Sequence, residues 1–338
     1  MAVEIPSDEL HQVLVLSPPF EFTSLESQFQ NRFQFLNPWN SNLPLLQFLI
    51  SNAQSVRACL VMPGGRLAVS SAILDCLPSL ELVVTTSAGV DHLHVAEIRR
   101  RGVAIAFAGN LLSQDVADMA VGLLIDVLRN ISAGDRFVRQ GLWPTQGDFS
   151  IGLKLSGKRI GIVGLGKIGS EVAKRLEGFG CRISYNSRTK KPLVPYSHYS
   201  NVHELATNCD ALIICCCLTE ETRHLINREV MVALGKDGVI INVGRGAIID
   251  EKAMIECLIQ GEIKGAGLDV FEHEPEIPKQ LFNLDNVVLS PHAAGTTTES
   301  IVGLTELAFE NLEAFFSNKP LLISDDERKA ISKQVSSF

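Results

Sequence analysis

Residues 158–176 read KRIGIVGLGKIGSEVAKRL: an apolar strand, glycines at Gly164, Gly166 and Gly169, then a helix. Few local patterns limit a chain as much, because a strand feeding a helix through such a turn belongs to a parallel sheet covered by helices. Ile160 to Val163 supply the strand, and Ile168, Val172, Ala173 and Leu176 fall on one helical stripe. That context is what makes the glycine spacing informative. Gly164 permits the tight turn, Gly166 lets the backbone approach a pyrophosphate, and Gly169 lets the helix close on the sheet. The helix N-terminus then offers N–H groups and a positive dipole end to an anion. A strand, turn and helix of purely structural purpose is the alternative.

Roughly twenty residues further on, such folds place an acidic residue to hold an unmodified ribose. Here the sequence is YNSRTKKP, Tyr185 to Pro192, without an acid. Ser187 and Thr189 bring hydroxyls, Arg188 a fork of donors and Lys190 positive charge, a set that suits a 2′-phosphate. A hydrogen bond to a charged group is worth about 1.5–3 kcal/mol, so two would favour NADP over NAD by about a hundredfold or more. NADP(H) is the expected cofactor, NAD(H) is possible, and a solvated basic loop is the other reading. Lys191 is peripheral, since Pro192 turns the chain away.

The same alternation of short apolar runs and helical patterns fills the 338 residues, enough chain for two cores. Val13 to Leu16, Val56 to Met62, Leu82 to Thr86 and Val103 to Phe107 read as strands of one sheet. Arg159 to Val163, Arg182 to Asn186, Ala211 to Cys216, Val239 to Val243, Gly265 to Leu268 and Val287 to Leu289 read as a second. A long apolar helix opening at Ser113, a plausible N-cap, lies between the two series. Another, from about Glu299 to Phe316, places Ile301, Leu304, Ala308, Leu312 and Phe315 on one face.

A net charge of -8, from 38 acids and 30 bases, argues against nucleic acid or anionic lipid as partner. Five of the eight cysteines (Cys181, Cys209, Cys215, Cys216, Cys217) crowd one region without paired spacing, which suits a reducing compartment better than a disulfide framework. Cys215 to Cys217 do not suggest a metal site either, because adjacent strand residues point to opposite faces. No apolar run has the length to span a bilayer, and the first residues, MAVEIPSDELHQ, lack the pattern of a targeting signal. Cytosol is the expected location.

Chemistry gathers at the ends of the second series. INVGRGAIID puts Arg245 just past a strand, GLDVFEHEPE does the same for Asp269 and Glu274, and VVLSPHAAG for His292. Ligands of open parallel sheets bind at those carboxyl ends. Singly, Arg245 reads as a surface cation and His292 as a structural histidine. Together, one cation, one acid and one histidine at successive strand ends are harder to dismiss as unrelated residues.

In order along the chain, SAGVDHL, QDVADMAVGLLIDVLR, VGLGKIG, NVGRGAIID, GLDVFEHEP and SPHAAG resemble the D-isomer-specific 2-hydroxyacid dehydrogenases, nearest the plant-type glyoxylate/hydroxypyruvate and hydroxyphenylpyruvate reductases. The resemblance implies an α/β fold of two Rossmann-like doubly wound domains, the cofactor domain inserted into a flavodoxin-like substrate domain. Residues 1–109 and 295–338 would form the substrate domain and 110–294 the NAD(P)-binding domain. It makes His292 the proton donor and acceptor, Glu274 its partner and Arg245 the substrate clamp. An imidazole titrates at about pH 6.5, and a carboxylate beside it stabilises the charged form.

Cofactor contacts would come from Gly164, Leu165, Gly166, Lys167, Ile168 and Gly169, from Ser187 to Lys190, and from Cys216, Thr222, Val243, Gly244, Arg245, Asp269, His292 and Ala294. Backbone N–H groups at Ser87, Ala88 and Gly89 match the family's carboxylate cradle, with Arg245 and His292 completing the substrate contacts. The expected substrates are small 2-oxo or 2-hydroxy acids, with 4-hydroxyphenylpyruvate as the alternative within the same chemistry. Met62, Pro63, Gly64, Gly65 and Trp143 are candidates for the wall of the pocket. A homodimer is implied, Trp143 matching a residue that in some relatives reaches a neighbouring subunit. A dinucleotide-sensing corepressor is the rival from another class, since such proteins can keep the same Arg, Glu and His. No metal is expected. HAAG departs from the family's commoner His-Ile-Gly.

Overall fold

The computed structural model describes residues 10–16, 29, 31–61, 69–90 and 92–323. Met62 to Gly65, the terminal segments and the tail beyond residue 323 lie outside them. The chain divides into two compact units, Met1–Leu112 with Thr298–Phe338, and Ser113–Thr297.

The first unit holds five parallel strands, β1 (His11–Val15), β2 (Phe33–Leu36), β3 (Ala58–Val61), β4 (Leu82–Thr85) and β5 (Ala104–Ala106), in the order β2-β1-β3-β4-β5. This is the flavodoxin-like winding. Side chains alternate between its faces, as the two-residue period of a strand demands. Val13, Val15, Leu60, Leu82 and Val84 enter one core, and Leu14, Cys59, Val61 and Val83 the other. Helices α1 (Leu45–Asn52), α2 (Ser71–Asp75) and α3 (Val95–Arg100) cover the second face, through Phe48, Leu49, Ile73, Leu74 and Ile98. Strand β2, FQFL, was not among the expected strands; it is four residues long and buries only Phe33 fully.

The second unit begins with α4 (Ser113–Arg129), then α5 (Ile131–Arg139) and α6 (Trp143–Gln146). Ser113 is the first helical residue and is buried, not a flanking cap. Seven parallel strands follow: β6 (Arg159–Val163), β7 (Arg182–Asn186), β8 (Ser197–Tyr199), β9 (Ala211–Ile214), β10 (Val239–Asn242), β11 (Gly265–Leu268) and β12 (Val287–Leu289). Between them run α7 (Lys167–Gly178), α8 (Val202–Thr207), α9 (Arg228–Leu234) and α10 (Glu251–Gln260). The order β12-β11-β10-β9-β6-β7-β8 places the reversal of winding between β6 and β9. That is the six-stranded dinucleotide-binding order with one strand added, and the switch point is where such sheets bind ligands. The strand missing from the sequence-based expectation is β8, three half-exposed residues at the sheet edge with no apolar run to mark it.

The last helix, α11 (Thr298–Phe316), belongs to the first unit and covers the first face of its sheet with Ala308, Phe309 and Leu312. Its buried stripe is turned from the expected one: Phe309 is inside, whereas Ile301 is 44% exposed. Among the described residues no helix is long and apolar enough to cross a membrane.

Candidate active site

The glycine turn sits at the carboxyl end of β6, beside the switch point. Gly164 has φ +94, a conformation that side chains resist, and a Cβ there would lie 2.7 Å from the Cα and N of Cys216. A Cβ on Gly169 would overlap the Gly164 carbonyl oxygen, so the helix seats against the turn only with glycine. Gly166 differs: a Cβ on it would meet nothing within 4 Å. Gly166 is also the N-cap of α7 and provides no side-chain cap to the first turn of that helix. Open space beside a glycine, at an uncapped helix N-terminus, fits a pyrophosphate. Leu165 is buried, Ile168 half-buried and Lys167 exposed.

Beyond β7, Ser187 is half-buried and Arg188, Thr189 and Lys190 are exposed. The Ser187 hydroxyl donates to the Thr189 carbonyl (2.7 Å), closing the loop on itself. Opposite the glycine turn, burial pushes the thiol of Cys215 up out of reach of ionisation and that of Cys216 up to about 12. Neither sulfur is a ready thiolate. Thr222 spends its hydroxyl within its own turn, accepting from Thr219 N (2.7 Å) and donating to Cys217 O (2.8 Å). Among the described residues no group of three or more His, Cys, Asp or Glu side chains is placed to hold a metal ion.

His292, Glu274 and Arg245 come together in the second unit. His292 Nδ1 lies 2.6 Å from Glu274 Oε2, while Glu274 Oε1 accepts the Phe271 N–H (2.9 Å). Burial pushes the Glu274 carboxyl up, but the bonds from His292 and Phe271 and the charges of His292 and Arg245 hold it below the usual range. Glu274 is therefore an anion at neutral pH, and Arg245 is near enough to contribute. The pairing engages Nδ1 and leaves Nε2 as the ring nitrogen that faces away from the carboxylate.

Backbone contacts fix that pair. His292 has φ +54, unusual for a residue with a side chain. Asp269, 1% exposed, holds the turn there: its Oδ1 accepts the Ala293 N–H (2.8 Å) and its Oδ2 the Ala294 N–H (3.0 Å). Val243 is buried, and Gly244 packs so closely that a Cβ would meet Cys216 O at 3.0 Å.

Asn242 and Glu251 did not stand out in the sequence. Asn242, wholly buried at the end of β10, accepts the Gly244 N–H (3.0 Å) and donates to Arg245 O (2.9 Å), shaping the turn that carries Arg245. Its signal was an asparagine closing an apolar strand, VIIN, since a buried amide needs partners. Glu251 Oε2 accepts the Glu272 N–H (3.1 Å), next to the amide that Glu274 takes. Burial raises its carboxyl above the usual range. Gly246 lets the Arg245 turn press on this one, because a Cβ there would overlap the Phe271 carbonyl and the Glu272 nitrogen.

Ser87, Ala88 and Gly89 belong to the first unit, just beyond β4. The Ser87 N–H is directed to Thr85 Oγ1 (3.3 Å), which also meets His92 Nε2 (3.0 Å). Ala88 and Gly89 follow, half-buried.

The fold and the glycine turn define a dinucleotide-binding α/β protein of two doubly wound units. Residues 121–294 match the family model of the D-isomer specific 2-hydroxyacid dehydrogenase, NAD binding domain. A glyoxylate/hydroxypyruvate reductase of Arabidopsis thaliana is 55% identical over 311 residues, 92% of this chain and 96% of the relative. A hydroxyphenylpyruvate reductase of Plectranthus scutellarioides is 46% identical over 300 residues, 89% and 95% of the two chains. The NADPH-dependent glyoxylate/hydroxypyruvate reductase of Sinorhizobium meliloti, solved with NADP and malonate, superimposes with a TM-score of 0.86 at 32% identity, covering 94% of this chain and 97% of the other. The chain belongs to the D-isomer specific 2-hydroxyacid dehydrogenase family, and is an oxidoreductase acting on 2-hydroxy acids with an NAD(P)-binding domain.

Proposed function

We propose that the protein is an NADPH-preferring reductase that converts glyoxylate and hydroxypyruvate to glycolate and D-glycerate. The observation that carries this reading is the His292–Glu274 pair with Arg245 beside it, at the strand ends of the NAD(P)-binding unit. In this scheme the first unit is the substrate domain and the second the cofactor domain. The glycine turn and α7 hold the pyrophosphate, and Ser187, Arg188, Thr189 and Lys190 receive the 2′-phosphate. The reduced nicotinamide supplies the hydride. Arg245 binds the carboxylate of the 2-oxo acid and polarises its carbonyl. Protonated His292 gives its Nε2 proton to the carbonyl oxygen as charge grows there, and Glu274 stabilises the imidazolium until that moment. Asp269 and Asn242 keep the two turns in place.

Initial rates with NADPH and NADH against glyoxylate, hydroxypyruvate, pyruvate and 4-hydroxyphenylpyruvate test the proposal. Turnover of none of them would sink it. A second reading, preference for 4-hydroxyphenylpyruvate, is favoured by the likeness to the Plectranthus enzyme; the same assay separates the two. Arg188→Ala is expected to erase most of the preference for NADPH.

We also assign the exposed apolar residues Ile131, Val138, Trp143 and Ile151 of the second unit to contact with a second copy of the chain. Light scattering of Ile151→Asp, expected to be a monomer beside a dimeric parent, checks it. Cysteine usage leads us to place the enzyme in the cytosol, which cell fractionation tests.

A further inference from the structure

The loop from Ser187 to Lys191 is tied at both ends to one pair of rings. Tyr185 on β7 and His198 on β8 are partners across the two parallel strands, with ring centroids 5.1 Å apart at 53°. Tyr185 is wholly buried, yet its hydroxyl oxygen reaches up to accept the Lys191 N–H at 2.8 Å. His198 Nε2 lies 3.0 Å from Ser187 O. A carbonyl oxygen only accepts, so that ring nitrogen carries the proton and donates. Asn186 adds a third tie, its Nδ2 donating to Tyr199 O at 2.9 Å.

The start of the loop therefore hangs from His198 and its end from Tyr185. Between the two anchors lie Arg188, Thr189 and Lys190, all exposed. Ordering a free backbone costs conformational entropy, and a loop held before the ligand arrives avoids part of that cost. Strand β8 adds only three residues to the edge of the sheet. What it brings to the cofactor end is His198.

We propose that Tyr185 and His198 are positioning residues for cofactor choice, holding the Ser187–Lys191 loop in the shape that presents donors and positive charge to a 2′-phosphate. This rests on the reading that the loop receives the 2′-phosphate of NADPH. Neither ring needs to touch the cofactor. Each supplies one hydrogen bond to the loop backbone, a contribution of about two- to tenfold in affinity.

The test measures equilibrium binding of NADPH, NADH, adenosine 2′,5′-bisphosphate and 5′-AMP to the full chain and to Tyr185→Phe, His198→Ala, His198→Gln and Arg188→Ala. Tyr185→Phe keeps the buried ring and removes only the oxygen; His198→Gln keeps a donor. Tyr185→Phe and His198→Ala are expected to weaken NADPH and the bisphosphate about three- to tenfold each while NADH binding stays within about twofold. His198→Gln should restore most of the loss. Equal weakening of NADPH and NADH, or no change in either, overturns the proposal, the first because it marks a general packing role. If Arg188→Ala removes the NADPH preference while the ring variants keep it, only the positioning role fails. If the parent protein shows no preference for the bisphosphate over 5′-AMP, or Arg188→Ala leaves a preference intact, the underlying reading of the loop fails with it.

Discussion

Replacing Glu274 with Gln isolates the charge in the proposed proton relay. The carboxylate holds two bonds, Oε1 with the Phe271 N–H and Oε2 with His292 Nδ1. Glutamine keeps an oxygen for the Phe271 amide, so the turn stays in place. Toward the ring it presents an NH2, which needs Nδ1 as an acceptor and therefore a neutral imidazole. A charge-assisted bond of about 1.5–3 kcal/mol is exchanged for a neutral one of about 0.5–1.5 kcal/mol. The net loss of about 1–2 kcal/mol in holding the proton-donating ring corresponds to roughly five- to thirtyfold. In steady-state assays of 2-oxo acid reduction, kcat should fall by about that factor above neutral pH. NADPH binding should be unchanged, because Glu274 lies outside the proposed phosphate contacts. A variant with the parental kcat would refute the role given to Glu274.

Gly169→Ala sets a methyl group against the Gly164 carbonyl oxygen, so α7 must shift; a stability loss of about 1–3 kcal/mol is expected, with weaker binding of both dinucleotides, read by thermal melting and fluorescence titration. Asn242→Ala leaves buried backbone groups of the Arg245 turn without their side-chain partner, and should raise KM for the 2-oxo acid more than it lowers NADPH affinity. Asp210 accepts the Arg159 N–H (2.8 Å) and its guanidinium (2.7 Å); burial pushes its carboxyl up, but these bonds hold it below the usual range. A depressed carboxyl stabilises the fold above its unfolded value of about 3.9 and loses that effect as pH falls through the lower folded value. Asp210→Asn should thus be less stable than the parent by about 1 kcal/mol at pH 7, with the gap in urea midpoints closing below about pH 4.

How much of this could be read from the sequence depends on whether a feature is local. The strand, Gly164 turn and helix are specified by neighbours within twenty residues, and the expected and observed elements coincide there. The strand ends bearing Arg245, Asp269 and His292 were visible for the same reason. Other features were set by residues far away in the chain. Asp269 was legible as an acid at a strand end, but its hold on the amides of Ala293 and Ala294 comes from a loop 24 and 25 residues further on. Glu251 reads as an ordinary first-turn acid of a helix until Glu272 is seen against it. Strands β2, FQFL, and β8, SHY, lack the unbroken apolar run that marks most of the other strands, and their pairing, not their composition, makes them strands. The buried stripe of α11 was misread because apolar residues occur on more than one side of it, so periodicity alone could not choose the face.

The way Asp269 grips the histidine turn bears on which changes this site can absorb. Its two oxygens bind main-chain amides, and every residue except proline offers an amide. The identity of the side chains at 293 and 294 is thereby uncoupled from the placement of His292. Two alanines stand at these positions, and the turn is gripped through their amides alone. Variation next to the His292 ring is then free to reshape its surroundings, while the turn that carries the ring stays where the Asp269 carboxylate fixes it.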